Sequence, residues 1–383
     1  MTSVWVNGLS STNLSGRQVV CGHLSELLRS AKAGHRFTLL VHPENRDVVE
    51  MLDAEGGFPD PSRLVIEMAP WWTRHWVGRG LYERLWLPVL MKARRAEVCL
   101  HMSGMVIRGL GCRQVTLALN PWALVDTGHR GWSSRFKAML QRRGYRLAVS
   151  TADAIGYGSE FMKALYEAEA GQAARCSAVV YPAFGRREIQ AMDEAATGDV
   201  ARDRYLVLCV SLMAPHKNLE GLIRAVEETR RVHGVPARLM VAGGWADQAY
   251  RERMARLVQE LGLEEVVTFS GYLERKDLYV AYRKARVYAL MSRSESFGIP
   301  AVEAQRMGTP VLGALGSAMP EVGGAGGVFV DPDDVAGAAG HLARLLSDDP
   351  CWEELSRRAR ENSLRFEYRK TSAPLFAMLG LHE

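Results

Sequence analysis

The stretch YALMSRSESFGIPAVEA, residues 288–304, contains the change of pattern that decides the fold. Its apolar start is typical of a buried strand, and a polar loop follows. Pro300 is a residue well suited to the first turn of a helix, so the helix begins close to the loop. The sequence therefore predicts an α/β protein in which a helix N-terminus faces a polar loop.

Such a helix start offers unpaired backbone N–H groups and the positive end of a dipole, so the amides of residues 297–301 can hold a phosphate. Two carboxylates bracket this position, because Glu295 lies in the loop and Glu303 lies one turn into the helix. A carboxylate accepts hydrogen bonds from two vicinal hydroxyls at once. Since sugars carry vicinal hydroxyls, the pattern predicts a site for a phosphorylated sugar.

This pattern resembles the signature of glycosyltransferase family 4, retaining enzymes of the GT-B fold. In that signature two glutamates flank seven residues with a Phe-Gly-Leu/Ile-Pro core. The matching residues here are Glu295, Phe297, Gly298, Ile299, Pro300 and Glu303. The run GTPVLGALGSAMPEV, residues 308–322, is similar to the family's next strand, small-residue loop and helix start. The resemblance implies two Rossmann-like doubly wound domains facing a cleft, with a C-terminal helix that crosses back to the first domain.

The length of 383 residues fits two domains better than one core. We expect an acceptor-binding domain at 1–185, a charged linker at 186–202, a nucleotide-sugar-binding domain at 203–365 and a returning helix at 366–383. No leader pattern and no apolar run of membrane-spanning length is present in the sequence, so we expect a cytoplasmic protein. The six cysteines stand singly without C-x-x-C spacing, which favours reduced, buried thiols over disulfides or zinc ligands.

The positive charge of the chain belongs to its first half. Residues 1–190 hold 24 Lys and Arg against 16 Asp and Glu, whereas the remainder holds 24 against 27. Tryptophans and arginines alternate in the segment 70–95, and residues 133–146 form a basic amphipathic helix. These patterns favour contact with an anionic membrane or an acceptor, and an ordinary core helix is the alternative from Leu81 onward. The segment Trp71 to Trp76 is left open between membrane and acceptor contact.

In the first domain, the resemblance places donor phosphates near Gly16 and Arg17, at the start of the first long helix. Acceptor-side candidates follow two predicted strands, 97–102 and 114–119. They are His101, Asn120 and Trp122, and His129 is a further histidine nearby. At the position where relatives carry a histidine, this chain has Leu119.

In the second domain, Lys217 precedes a predicted helix at 219–233, where its ammonium can neutralise a diphosphate. The family commonly carries a Gly-Arg pair before this loop, but the matching positions are Ser211 and Leu212. His216, Arg17 and Arg293 are candidates to replace the missing cation. The resemblance also implies a nucleobase pocket at Gly243 and at residues 271–273, although Tyr272 can be explained as simple packing.

The resemblance thus implies a metal-independent hexosyltransferase that uses a nucleotide diphosphate sugar, of the GDP-mannose or UDP-sugar type, and a glycan or lipid-linked acceptor. A role in surface polysaccharide or glycolipid biosynthesis and peripheral membrane contact are expected, without nucleic acid. Glu295 and Lys217 are the catalytic candidates. The donor-binding candidates are Gly16, Arg17, Ser211, Lys217, Asn218, Gly243, Gly271, Tyr272, Leu273, Glu295, Ser296, Phe297, Gly298, Ile299 and Glu303.

Two other classes remain as alternatives. A nucleotide-sugar epimerase on the same fold would leave the aromatic and basic first domain without an acceptor to bind. A non-enzymatic basic scaffold for nucleic acid or membrane would leave Glu295, Glu303 and Lys217 unexplained. No cofactor is expected, and the D-x-D sequence at Asp331 to Asp333 is interpreted as a turn rather than a metal motif.

Overall fold

The computed structural model describes residues 2–12, 14–32, 34–45, 47–54, 60–125, 132–198 and 200–381. By its contacts the chain divides into two units. The first comprises residues 1–187 with 366–383, and the second comprises residues 188–365.

The first unit is built on a parallel sheet in which the described residues form seven strands in the order β3-β2-β1-β4-β5-β6-β7. The strands are β1 Ser3–Asn7, β2 Arg36–Val41, β3 Leu64–Met68, β4 Val98–His101, β5 Arg113–Ala118, β6 Ala154–Tyr157 and β7 Ser177–Val179. The helices are α1 Leu14–Ser30, α2 Asp47–Ala54, α3 Trp76–Leu85, α4 Leu87–Ala93, α5 Trp132–Thr151 and α6 Glu160–Ala170. The strands β1, β2, β4, β5 and β6 are largely buried because helices cover the sheet, which explains their apolar runs, whereas the edge strands β3 and β7 are partly exposed.

The second unit has a parallel sheet of six strands among its described residues, in the order β10-β9-β8-β11-β12-β13. The strands are β8 Asp203–Val210, β9 Arg238–Ala242, β10 Val267–Gly271, β11 Ala285–Leu290, β12 Val311–Ala314 and β13 Gly327–Val330. The helices are α7 Arg186–Thr197, α8 Leu219–Arg231, α9 Gln248–Glu260, α10 Arg275–Lys284, α11 Ile299–Arg306, α12 Met319–Gly323, α13 Val335–Ser347 and α14 Asp349–Ser363. The chain winds outward from β8 in one direction and from β11 in the other. The direction of winding reverses between the adjacent strands β8 and β11, and ligands of such sheets bind at the carboxyl ends of the strands at this topological switch point.

Several elements differ from the sequence predictions. The residues for which a linker is predicted, 186–202, are mostly helical, since α7 covers Arg186–Thr197. Arg306 on α11 binds Asp193 of this helix at 2.7 Å, within the second unit. Helix α5 covers Trp132–Thr151, so it is longer than the basic amphipathic helix predicted for 133–146, and strand β6 begins only at Ala154.

The C-terminal segment belongs to the first unit. It consists of α15 Tyr368–Thr371 and α16 Ala373–Leu379, rather than the single returning helix predicted for 366–383. Pro374 lies in the first turn of α16, and proline lacks the N–H that a continuous helix needs there. Leu375 and Leu379 are buried in the core beneath α1, and His23 of α1 contacts Ser372 at 2.8 Å.

Candidate active site

The loops that follow β8 and β11 meet at the carboxyl edge of the second sheet. The backbone N–H of Arg293 donates to the carbonyl of His216 at 2.8 Å, and the Ser292 hydroxyl donates to the same carbonyl at 3.2 Å. The Lys217 ammonium consequently lies 2.5 Å from the Glu295 carboxylate. These side chains are only 15% and 14% exposed, so the structure joins the two catalytic candidates in one partly buried ion pair.

Asn218 holds the β8 loop in place. It adopts a left-handed conformation with φ of 53°, which asparagine tolerates better than most residues, and ends the short 3-10 turn at residues 215–217. Its side chain accepts a hydrogen bond from Gly221 at the start of α8 and donates one to the carbonyl of Pro332 at 2.6 Å. Asn218 is buried, and these two hydrogen bonds fix the backbone directly after Lys217.

Helix α11 begins at Ile299, directly after the Glu295 loop. Gly298 has φ of 93°, and a β-carbon there would lie 2.8 Å from the sulfur of Met319, so only glycine fits without strain. Among the described residues, no side chain caps the helix. The helix start therefore has the form expected of an anion site. Binding of a phosphate by the amides of residues 297–299 stays a prediction.

Glu303 points from the first turns of α11 toward Tyr282, whose hydroxyl donates to its carboxylate at 2.8 Å. Burial raises the pKa of Glu303 to about 7, while Tyr282 and Arg275 act in the opposite direction. Both Glu295 and Glu303 contribute, after burial and Cys209, to raising the pKa of Tyr288. Glu295 and Glu303 therefore both lie near Tyr288, although Glu295 pairs with Lys217 and Glu303 accepts a hydrogen bond from Tyr282.

The carboxyl ends of β8, β9 and β10 also come together. The Gly243 N–H donates to the Gly271 carbonyl at 2.7 Å, and the Ser211 N–H donates to the Ala242 carbonyl at 3.1 Å. Gly243 has φ of 125°, and a β-carbon there would lie 1.9 Å from the Ser211 carbonyl oxygen. Tyr272 is 75% exposed, so the alternative that it is a packing residue is wrong. The base-reading role of residues 271–273 stays a prediction.

The three candidates to replace the missing cation are Arg293, His216 and Arg17, and each is either already paired or favours its neutral form. Leu212, which stands at the arginine position, is 61% exposed. Arg293 already binds Asp333 at 2.7 Å and Asn218 at 3.3 Å. Burial and the neighbouring Lys217 lower the pKa of His216, which favours its neutral form. Lys217 is therefore the principal cation of this site.

Arg17, the third candidate, lies in the first unit and is bound within that unit. Helix α1 begins at Leu14, so Gly16 and Arg17 lie in its first turn, at the start of the first long helix as predicted. The Arg17 guanidinium lies 3.1 Å from the Asp47 carboxylate and donates to the Thr12 carbonyl at 3.0 Å. A role of Gly16 and Arg17 in donor binding stays a prediction.

Of the acceptor-side candidates, His101 is in the interior. It is 1% exposed, its ring contacts Gln114 at 3.1 Å, and burial lowers its pKa to about 4. His101 thus ends a central strand of the sheet and also forms part of the lining of a groove in the first unit, and its acceptor-side role stays a prediction. His129 lies outside the described residues.

Asn120 and Trp122 lie in a loop that is held by tyrosines. The Asn120 side chain accepts from the Trp122 N–H at 2.9 Å, and its carbonyl accepts from Tyr145 and Tyr166 at 3.4 and 3.3 Å. The Lys137 ammonium lies 5.1 Å from the centre of the Trp122 ring. The loop is thus ordered at the carboxyl end of β5, and its contact with an acceptor stays a prediction.

The sequence interpretation missed Tyr282 and the capping role of Asn218. Tyr282 lies near the end of an ordinary amphipathic helix, and no sequence pattern marks its hydrogen bond to Glu303. The interpretation of residues 331–333 as a turn is confirmed, because the Asp333 N–H donates to the Asp331 side chain at 2.9 Å. Within the part of the chain that the structure describes, no three His, Cys, Asp or Glu side chains are arranged to hold a metal ion. None of its described helices has the length and apolar character needed to cross a membrane.

Comparison with known proteins finds relatives of the unit that carries this site. The model of the group 1 glycosyl transferases matches residues 193–365. The chain is 35% identical over 179 residues to D-inositol 3-phosphate glycosyltransferase of Mycolicibacterium smegmatis, across 46% of this chain and 40% of that protein. It is 33% identical over 153 residues to O-antigen chain mannosyltransferase B of Escherichia coli, across 39% of this chain and 38% of that protein. The chain thus matches about two fifths of the length of these curated relatives.

The fold of the whole chain resembles that of a solved structure. The crystal structure of HepE from Anabaena in complex with UDP and glucose superimposes with a TM-score of 0.68 at 15% identity, covering 99% of this chain and 100% of that chain. A likeness at this identity shows the fold alone, two Rossmann-like units of the GT-B class. The model of the group 1 glycosyl transferases thus covers nearly all of the second unit, residues 188–365, and the family resemblance predicted from residues 288–304 is confirmed there.

Proposed function

We propose that this protein is a retaining, metal-independent glycosyltransferase that moves a hexose from a nucleotide diphosphate sugar to a hydroxyl of a glycan or lipid-linked acceptor. The observation that carries the proposal is the Lys217–Glu295 pair at the switch point of the second sheet, beside the start of α11. A cation, a helix N-terminus and two carboxylates are the groups that a sugar diphosphate needs.

The relatives support the substrate class. One is named as a mannosyltransferase of O-antigen chains, another as a glycosyltransferase, and HepE was solved with UDP and glucose. A donor of the GDP-mannose or UDP-sugar type and a role in surface polysaccharide or glycolipid biosynthesis follow as parts of the proposal. The positive charge of residues 1–190 favours an anionic acceptor and peripheral contact with an anionic membrane.

In the proposed complex, Glu303 accepts hydrogen bonds from the ribose hydroxyls and Glu295 accepts them from the donor sugar. Lys217 binds the diphosphate together with the amides of residues 297–299, while residues 271–273 contact the base. Because Lys217 is paired with Glu295 before the donor arrives, the diphosphate must share this ammonium with the carboxylate. Each preorganised donor of this kind contributes on the order of 2 to 4 kcal/mol to transition-state stability.

In the proposed reaction, the bond between the anomeric carbon and the diphosphate oxygen breaks. The acceptor oxygen then bonds to that carbon on the face from which the phosphate leaves, so the configuration is retained. The leaving phosphate oxygen takes the proton of the acceptor hydroxyl, and the nucleoside diphosphate departs. Neither a protein nucleophile nor a metal takes part in this step. In the first unit, the proposed donor contacts are Gly16 and Arg17. The proposed acceptor-side contacts are Asn120, Trp122 and His101.

The proposal is tested with a panel of GDP-, UDP- and dTDP-sugars, each incubated with the purified protein. We expect one donor to raise the melting temperature and to release nucleoside diphosphate slowly, with both effects absent in Glu303→Ala. Activity retained after removal of divalent metals by a chelator is expected for metal independence. Binding of anionic lipid or nucleic acid without an effect of any donor would support a basic scaffold instead.

A further inference from the structure

A groove on the first unit lies beside the acceptor-side candidate His101, which forms part of its lining. It lies between α3, the segment after β4 and α5, with a volume of about 450 Å³, and it adjoins a larger depression of about 940 Å³ along α5. Arg108, Arg143 and Leu147 line both. The surface formed by α3, α4, α5 and residues 103–108 is called the α3–α5 surface below.

Cations dominate this surface. Helix α5 carries Arg135, Lys137, Arg142, Arg143 and Arg146 and no acidic residue. Arg142 and Arg146 share one carboxylate, that of Glu169, at 2.5 and 2.6 Å. Among the described residues, the other arginines that line the groove and the depression have no acidic partner within ion-pair distance. They are Arg84, Arg108, Arg135 and Arg143.

One carboxyl group, that of Glu83, lines the groove, and it is already hydrogen-bonded within the protein. Glu83 accepts a hydrogen bond from the Asn7 side chain at 2.8 Å, and burial raises its pKa. Arg79 and the hydrogen bond from Asn7 oppose this shift. The three arginines that line the groove therefore outnumber its one acidic side chain.

Apolar side chains are exposed on both sides of the groove. On α5, Trp132 is 92% exposed and Phe136 54%, and Leu140 is exposed at the groove itself. Along α3 and α4, four exposed aliphatic side chains recur every fourth residue, which places them on one helix face. They are Val77, Leu81, Leu85 and Val89. Exposed apolar patches of this extent mark a contact surface.

The neighbouring segment at Trp71 to Trp76 is divided between the interior and this surface. Trp72 packs edge-on against Tyr82 and Trp86, with ring centres 5.9 and 5.6 Å apart. Trp71 is 79% exposed and extends the apolar side chains of α3 and α4. An exposed tryptophan beside arginines suits the headgroup region of a membrane.

We propose that the α3–α5 surface docks on an anionic phospholipid bilayer, with lipid phosphate bound by Arg84, Arg108 and Arg143 and the exposed apolar side chains at headgroup level. Guanidinium groups bind phosphate in two-pronged geometry, and aliphatic and aromatic residues on either side enter the boundary of the acyl chains. Nucleic acid would use the cations but not the aliphatic face of α3 and α4. This inference deepens the membrane contact of the proposed function and rests on that part of it.

The test is co-flotation of the full chain with vesicles at near-physiological salt. We compare vesicles of phosphatidylcholine alone with vesicles that also contain phosphatidylglycerol. The wild type is expected to float only with the anionic vesicles. Arg108→Glu with Arg143→Glu is expected to weaken partitioning at least about tenfold, because each cation near an anionic surface contributes several-fold. Phe136→Ser with Leu140→Ser is expected to weaken it as well.

The matched control is Arg251→Glu with Arg256→Glu, which makes the same change of charge on exposed arginines of α9 in the second unit. We expect it to bind vesicles like the wild type. Equal loss in the control, or no loss in the Arg108 and Arg143 variant, would overturn the proposal, as would a wild type that ignores anionic vesicles. A thermal shift with the donor is recorded for every variant. It reports on folding and on the second-unit site, so failure of docking is separated from failure of the transferase proposal.

Discussion

The charged groups of the two units are arranged in opposite ways. In the second unit, Lys217 and Glu295 neutralise each other at 2.5 Å while remaining only about 15% exposed. On the α3–α5 surface of the first unit, Arg108 and Arg143 are exposed and have no acidic partner among the described residues. The first arrangement suits a small ligand that replaces one partner in a fixed geometry. The second suits an extended anionic partner that supplies the missing charge, and the following predictions test this contrast.

The largest effect is expected at Lys217. Lys217→Ala removes the principal cation of the site, so we expect the rate of nucleoside diphosphate release to fall about 100- to 1000-fold. Lys276→Ala, at an exposed lysine of α10 in the same unit, is the control and is expected to retain the wild-type rate. A loss of less than about tenfold in Lys217→Ala would show that another group holds the diphosphate.

Gly243→Ala tests the backbone that shapes the edge of the second sheet. Alanine there is strained at φ of 125° and its β-carbon meets the Ser211 carbonyl oxygen, so we expect the free energy of unfolding to fall by about 3 kcal/mol or more. The measurement is urea denaturation of the second unit within the full chain. Gly340→Ala lies in helix α13 with no atom within 4 Å of the new β-carbon, and it is expected to leave stability unchanged or raise it by up to about 1 kcal/mol. Equal stability of the two variants would contradict the described geometry.

Glu303→Gln is expected to change the free energy of unfolding and the affinity for the nucleotide sugar in opposite directions. The pKa of Glu303 is about 7 in the folded protein against 4.5 as its ordinary value. The folded state therefore holds this proton more tightly, and the stability it contributes is full below pH 4.5 and is lost as the pH rises through 7. Glutamine stays neutral, so the variant is expected to gain at most roughly 3 kcal/mol above pH 7 and nothing below pH 4.5.

The same variant is expected to bind the nucleotide sugar at least about tenfold more weakly, because an amide is a poorer acceptor for two hydroxyls than a carboxylate. Denaturation curves at several pH values measure the first effect and thermal shift with the donor measures the second. Glu264→Gln, at an exposed glutamate, should change neither. A variant that is less stable than the wild type at pH 8 would refute the assigned cause of the pKa shift.

The smallest effect is expected at Arg293. Its guanidinium is 45% exposed and pairs with an Asp333 side chain that is 73% exposed, and such surface pairs contribute about 1 kcal/mol or less. Arg293→Ala should therefore change stability by less than about 1 kcal/mol and nucleoside diphosphate release by less than about tenfold. If the rate falls as far as in Lys217→Ala, Arg293 is the second phosphate cation and leaves Asp333 when the donor binds.

The second-unit site was largely predictable because its groups lie in two short stretches of sequence. Residues 295–303 and Lys217 stand at strand ends, and the carboxyl ends of neighbouring parallel strands meet at one edge of a sheet. Partners supplied from elsewhere could not be predicted. Tyr282 reaches Glu303 across 21 positions, and Asn218 reaches Pro332 across 114.

In the first unit the strands of the sheet could be predicted from the sequence, whereas the contacts of individual side chains could not. His101 has the position expected of a ligand residue, at the end of a buried strand, but its side chain points into a network with Gln114 that no pattern shows. The α3–α5 surface joins segments near residues 77–89, 103–108 and 132–150, which are far apart in the chain. The composition of residues 70–95 and 133–146 indicated a contact surface, and only the fold shows that these segments share a groove with residues 103–108.

The central claim is that the second unit binds a nucleotide sugar through Lys217 and Glu303. Isothermal titration calorimetry of GDP-mannose and UDP-glucose into the wild type, Lys217→Ala and Glu303→Gln measures it most directly. We predict that one donor binds the wild type with a dissociation constant between about 1 μM and 1 mM, and both variants at least about tenfold more weakly. Absence of binding to either donor, or equal affinity in all three proteins, would contradict the account.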